Sequence, residues 1–493
     1  MRLNTLRNFL VVALLCAASL SAQTAPEASP KLTAEMKRIQ QAALQSDYSY
    51  QFAAHLTDNI GPRLSGSVQY NHAAQWVAAE FKRLGLEVKL EKVMVPHWVR
   101  GEERAELVQF PGMTPNTTQK IVLTALGASV ATPANGITAE VIAVNNFDEL
   151  AALGREKVQG KIVVFNHKFD QRMAEIGDAR DAYGLAVEYR SKAPTEAGKL
   201  GAVASLISSV GGADFRLPHT GNTRYAKDVP KIPAGALAAE DAELIARLVK
   251  QGTVRMHLVM TPQTLPDAEA YNVIGDLKGS EHPEQVVIVS GHLDSWDLGT
   301  GAIDDAAGVA HAVDAVRVIK ELGLRPRRTI RVIAWANEEN GLRGGLGYAI
   351  AHKDEIANHQ AAIESDMGAG HPTGLLFAGD PAIEKMLEPA SKVLRGSGAG
   401  IVRATDQGGA DTIPVGALGV PTFEPLQDVR TYFHYHHTAA DTLDKIEPQA
   451  QRENTAVLGV LAYFLANIDQ QLPRSVKPLP EWLKQAMSEA VKK

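Results

Sequence analysis

The sequence predicts an α/β fold: a mixed, mostly parallel central sheet sandwiched by helices, interrupted by an inserted smaller unit. Residues 286–289 (VVIV) and 329–335 (TIRVIAW) are continuous apolar runs bounded by turn residues and followed by helical patterns, as strands buried on both faces read. Polar residues follow these runs: His292 and Asp294 after the first, Asn337, Glu338 and Glu339 after the second, and Glu364, Ser365 and Asp366 after a weaker run at 360–363. Ligands of open α/β sheets gather just past the carboxyl ends of such strands. Between about 116 and 266 the texture changes, with short strand-like runs (121–123, 140–144, 161–165) alternating with Gly/Pro turns.

The chain is organised around residues 285–310, QVVIVSGHLDSWDLGTGAIDDAAGVA. The strand ends at small residues, a loop with Gly299 and Gly301 follows, and Asp304 and Asp305 stand where a helix begins at Ala306. An imidazole and carboxylates brought together in this way suit a zinc-class metal. A lone H-x-D is more often a surface or capping feature than a ligand set. The later strand ends shift that balance, as does the segment YFHYHHTAADT with His434, His436 and His437.

The motifs GHLDSW…GAIDDAAG, NEENG, SDMG and HHTAADT, in that order, resemble the co-catalytic di-zinc exopeptidases, the family of bacterial leucyl aminopeptidase and glutamate carboxypeptidase. The likeness covers most of the chain after Tyr271, and GPRLSGS at 61–67 is similar to the family's N-terminal signature. The chain lacks the long C-terminal helical domain of glutamate carboxypeptidase, so the carboxypeptidase Q branch fits better. The resemblance implies a zinc exopeptidase fold and two zinc ions per chain, with Asp304 as the bridge. It assigns His292 and Asp366 to one ion, Glu339 and His437 to the other, and a cis peptide after Asp304. Glu338 is expected as the general base, Asp294 as the carboxylate holding the second nitrogen of His292, and Asp305 as a helix cap. His436 stands where glutamate carboxypeptidase has a carbonyl-polarising tyrosine. His434 reads as structural and Asp441 as a local turn cap. Asp411, in the Gly-rich loop 403–414, is open between a contact to the substrate amine and a turn-stabilising role.

The implied activity is hydrolysis of small peptides, in particular unblocked dipeptides, with an aminopeptidase as the alternative. A glutaminyl-cyclase-like acyltransferase manages with one zinc, and receptor-like relatives lose ligands. The complete ligand set disfavours both.

Taken in order, residues 1–22 read as a secretory signal peptide: a basic start (Arg2, Arg7), an apolar core too short to span a bilayer, and small residues near Ala22. Ala13-Leu14-Leu15 lacks the small residue that a lipid-anchor site needs before Cys16, so a secreted or periplasmic protein without a membrane anchor is expected. Cys16, the only cysteine, leaves with the signal, and no disulfide is expected. Loss of Arg2 and Arg7 takes the net charge from −6 to −8, which favours neither nucleic acid nor an anionic membrane. The remaining chain of about 470 residues is too long for one core.

Residues 31–115 are assigned to the first part of the catalytic domain, with helical patterns at 31–55 and 68–84 and a strand at 86–92. GPRLSGS reads as a Gly/Pro connection. Residues 116–265 resemble a protease-associated domain, through VQGKIVVF, a helix at 194–200 before GAVASLI, and KIPAGALAAEDAELIARL. Its polar residues Asp170, Arg172, Arg216, His219 and Arg224 read as solvated surface. Residues 266–472 complete the catalytic domain: an edge strand at YNVIGDLKGS, helices at 305–322, 345–357, 383–394 and 453–468, and strands at 375–378 and 421–424. Residues 473–493 form an amphipathic tail. The expected partner is a small peptide, and pairing as a homodimer is left open.

Overall fold

The computed structural model describes residues 28–212 and 215–475, with 478, 481, 483–485 and 488. The expected signal segment, Cys16 and much of the tail beyond 475 lie outside the described residues. Four parallel strands, in the order Arg328–Trp335, His282–His292, His359–Glu364 and Thr422–Gln427, form the middle of an eight-stranded sheet. Gln263–Leu277 and then Glu87–Val99 extend it antiparallel on one side. Pro372–Ala378, antiparallel to Thr422–Gln427, and Ile401–Ala404 extend it on the other.

The apolar runs are continuous because both faces of these strands are covered. Val287, Val289, Ile330, Val332 and Ile363 point into one core, which they share with helices Ala307–Glu321 and Pro448–Asn467. Their neighbours Val286, Ile288, Ile333, Trp335 and Ala362 point the other way, against Tyr348 and Ala349 of helix Arg343–Ala351. This is the period-2 alternation of a strand read out on two buried faces. Helix Ala307–Glu321 starts where the Asp305 carboxylate accepts the Gly308 N–H at 2.9 Å, the cap expected of it. A side chain at Gly308 would run into the Ser365 carbonyl, so glycine sets how closely this helix approaches the sheet.

Several elements differ from expectation. YNVIGDLKGS does not form an edge strand: Gln263–Leu277 lies inside the sheet, and Glu87–Val99 is the edge. The helical pattern at 31–55 resolves into Pro30–Ala43 and Tyr48–Ala54, and that at 383–394 into Ala382–Met386 and Glu388–Leu394. In the second case Pro389 cannot donate to the preceding turn and starts a new helix.

A second eight-stranded sheet is built from the intervening chain, in the order Gln119–Ile121, Glu103–Gln109, Arg255–Met260, Ile137–Val144, Ile162–Phe165, Ala204–Ser208, Ala234–Leu237, Leu123–Ala125. Glu103–Gln109 pairs with Arg255–Met260, so this sheet begins before residue 116. Arg100, between Val99 at the end of the first sheet's edge strand and this sheet, donates to both carboxylate oxygens of Asp297, to Glu103 and to the Ala125 carbonyl. It joins the loop after His292 to the second unit.

Candidate metal centre

The parallel strands end level with one another: His292 pairs with Trp335, and Ser290 with Glu364. Their polar continuations therefore meet at one edge. His292 Nδ1 donates to the Asp294 carbonyl at 2.9 Å, which fixes the tautomer and leaves Nε2 facing Asp304 Oδ1 at 3.1 Å and Asp366 Oδ1 at 3.2 Å. On the other side of Asp304, Oδ2 lies 3.3 Å from His437 Nε2, and His437 Nε2 lies 2.8 Å from Glu339 Oε2. Asp304 thus stands between two imidazoles, each with a further carboxylate, and the peptide linking it to Asp305 is cis. His436, stacked on His437 with centroids 3.6 Å apart, brings its Nε2 to 3.6 Å from Asp304 Oδ2. It is within ligand reach, grouped with Asp304 and His437.

The supports are only partly those expected. The Asp294 carboxylate, 3.8 Å from His292 Nδ1, does not hold that nitrogen. It accepts instead from Ser65 Oγ (2.9 Å) and from the backbone N–H groups of Glu338 (3.0 Å) and Glu339 (3.4 Å), and so positions the NEEN segment. Asp441 is not a local cap. It reaches back to the Ala302 and Ile303 N–H groups at 2.9 and 2.8 Å, steadying the turn that presents Asp304. GPRLSGS is more than a connection: fully buried Arg63 donates to the carbonyls of Leu293, Thr300 and Gly301, tying down both ends of the loop between His292 and Asp304. The second unit also contributes. The His437 carbonyl accepts from Thr220 N–H at 2.9 Å, and His437 Nδ1 faces the Thr220 carbonyl at 3.2 Å. This holds a residue whose φ of +62° lies in the left-handed region. Asp411 does not reach the cleft: it is wholly buried, with neither carboxylate oxygen hydrogen-bonded, which removes it from contact with a substrate amine.

Unneutralised, the site is electrostatically crowded. Burial and the neighbouring Asp304 raise Glu339 to about 7, and burial with the charges of Asp366, Glu339 and Asp411 raises Glu338 well above the usual carboxylate range. Burial also opposes the Asp304 charge, but the hydrogen bond with His292 and the nearby imidazoles of His437 and His436 hold this acid well below its ordinary value. Asp304 Oδ2 is buried without a hydrogen-bond donor. Carboxylates and imidazole nitrogens converging on such an atom fit divalent, zinc-class cations. Glu338 lines the cleft beside them, with no side-chain hydrogen bond among the described residues. That cleft, of about 740 Å³, has one wall from segments at the end of the first sheet (Glu338, Asp366, Tyr432) and one from the second unit (Arg180, Tyr183, Arg190).

A sheet edge that gathers imidazoles and acids around one shared aspartate, next to an uncommitted glutamate, has the makings of a metal-dependent hydrolase. Residues 272–462 match the model of peptidase family M28. Carboxypeptidase Q of Bos taurus is 40% identical over 430 residues, 87% of this chain and 87% of the relative. The chain belongs to peptidase family M28. A peptidase M28 precursor from Shewanella amazonensis SB2B is similar with a TM-score of 0.84 at 36% identity, covering 91% of this chain and 99% of that one. A zinc aminopeptidase from Bacillus subtilis, at 20% identity, has a TM-score of 0.63 over 87% of this chain and 98% of its own, a likeness of fold.

Proposed function

We propose that this protein is an exported zinc exopeptidase that hydrolyses small unblocked peptides, dipeptides above all. The observation that carries the reading is the position of Asp304, between His292 with Asp366 on one side and His437 with Glu339 on the other. These five residues would hold two zinc ions, with His436 close enough to adjust the second position. When bound, such ions polarise a substrate carbonyl and acidify a water molecule. Glu338 takes that water's proton on its carboxylate and later delivers it to the leaving amine. Asp294 keeps Glu338 in place through its backbone N–H. His436, buried and held neutral by burial and by its neighbour His437, offers an imidazole N–H to the oxygen on which charge develops.

The second unit, which we read as a protease-associated domain, supplies one wall of the cleft, and this supports action at a chain end. The signal-like residues 1–22 support export, and similarity to carboxypeptidase Q supports action at a chain end. The test is a panel of dipeptides and longer peptides with free and blocked termini. Turnover of free dipeptides is expected, with blocked peptides at least ten-fold poorer. Efficient cleavage within long end-blocked peptides would overturn the exopeptidase reading.

A further inference from the structure

An imidazole that offers Nε2 to a metal carries its proton on Nδ1, and that N–H needs an acceptor. His292 finds one within its own loop, in the Asp294 carbonyl at 2.9 Å. His437 does not. Among the described residues no group of the first unit accepts from its Nδ1, which faces two groups of the second unit: the Thr220 carbonyl at 3.2 Å and Arg190 Nη1 at 3.3 Å. A guanidinium only donates, so Arg190 favours the tautomer with its proton on Nε2, which cannot ligate. The Thr220 carbonyl favours the other one.

That acceptor is firmly placed. Thr220 is fully buried, and its N–H donates to the His437 carbonyl at 2.9 Å, so one residue grips His437 at both backbone and ring. Thr220 Oγ1 donates to the Ala125 carbonyl at 2.9 Å, on strand Leu123–Ala125 of the second sheet, and accepts from Arg100 Nη2 at 3.2 Å. The following turn is pinned as well. The Gly221 carbonyl accepts from Gly127 N–H at 2.9 Å, and Thr223 N–H donates back to the Gly127 carbonyl at 2.9 Å. Arg100 carries these contacts on to Asp297, in the loop between His292 and Asp304.

Building on the two-zinc exopeptidase reading, we propose that Thr220 is the positioning residue of the metal position formed by His437 and Glu339, and that the second unit thereby sets how tightly that ion is held. The position formed by His292 and Asp366 has no such dependence, because its imidazole is oriented from within its own loop. The two positions therefore differ in what controls them. One is complete within the first unit, and the other is completed by the docked second unit. Outer partners of a ligating imidazole govern metal affinity by about 10–100-fold.

The test compares wild type, Thr220→Val and Thr220→Ser by zinc titration of the metal-free protein against a competing chelator, with zinc-edge anomalous diffraction to place the ions. Thr220→Val keeps the shape and loses both Oγ1 contacts, whereas Thr220→Ser keeps them. Thr220→Val is expected to hold one ion at wild-type affinity, beside His292 and Asp366, and to bind the other about 10–100-fold more weakly. Its kcat should return in excess zinc, and Thr220→Ser should bind both ions as wild type does. If Thr220→Val does not fold, Thr220→Ala, which also lacks Oγ1, takes its place. Unchanged affinities, an equal loss at both positions, or Thr220→Ser as weak as Thr220→Val would overturn the proposal. Selective loss of the second ion, in a protein that cleaves no peptide, would uphold the role of Thr220 and overturn the exopeptidase reading. A single ion in wild type would overturn the two-zinc reading, and the proposal with it.

Discussion

Glu338 and Glu339 are neighbours in sequence with opposite commitments. Glu339 has both oxygens engaged, Oε1 by the Trp296 N–H at 3.2 Å and Oε2 by His437, whereas the Glu338 carboxylate is unbound at the cleft. Glu339→Gln is therefore expected to lower metal occupancy and rate together. Glu338→Gln should keep its metal and lose kcat, by about 10²–10⁴-fold, because an amide cannot accept the proton. Metal content and steady-state kinetics on both variants decide it, and zinc loss from Glu338→Gln with turnover rescued by excess zinc would reverse the roles. At this scale the sequence is legible where the proposed ligands sit in contiguous motifs, as His292, Asp304, Glu339, Asp366 and His437 do. It is silent on Arg63, whose partners are carbonyls about 230 residues away. The one available signal was a charged residue set within a tight Gly/Pro/Ser turn.

At the scale of elements, the strand His359–Glu364 opens on a histidine that is satisfied only as the neutral ring. Nδ1 donates to the Glu355 carbonyl at 3.0 Å, and Nε2 accepts from the Tyr348 hydroxyl at 2.7 Å. Burial lowers this imidazole to about 4, and burial likewise takes His311 on helix Ala307–Glu321 to about 3. The unfolded imidazoles protonate near 6.5, so below that pH the unfolded chain binds more protons and stability falls as acid is added, down to the folded values. Urea midpoints should drop between pH 7.5 and pH 5, and His359→Gln should flatten that slope by an amount on the order of a few kcal/mol at most. An identical slope in the variant would show that His359 does not titrate in this way. The buried parallel strands were legible because burial on both faces leaves an unbroken apolar run. The interior position of Gln263–Leu277 was not, since it depends on pairing with Glu87–Val99, far upstream in the chain.

For the whole molecule, the decisive feature is that the second sheet is tied into the metal edge rather than appended to it. Thr220 engages His437, Arg180 grips Glu424, and Arg100 holds Asp297 and Glu103 together. The Arg100 cluster is mostly buried, so Arg100→Met leaves two carboxylates without their cation, and a loss of about 3–5 kcal/mol is expected. Thermal unfolding would show it, together with faster proteolysis near residues 100–103. An unchanged melting temperature would mean that the junction does not depend on this ion pair. The existence of an inserted unit was legible from the change in texture. Its starting strand was not, because Glu103–Gln109 has no local mark that distinguishes one sheet from the other.

The central claim, that Asp304 is shared by two cations, is tested most directly by anomalous diffraction at the zinc edge, with metal analysis of the same active preparation. Two peaks flanking Asp304 are expected, one bounded by His292 and Asp366 and the other by His437 and Glu339, with about two zinc ions per chain and loss of activity on chelation. A single peak, at a stoichiometry of one in a fully active enzyme, would contradict the account.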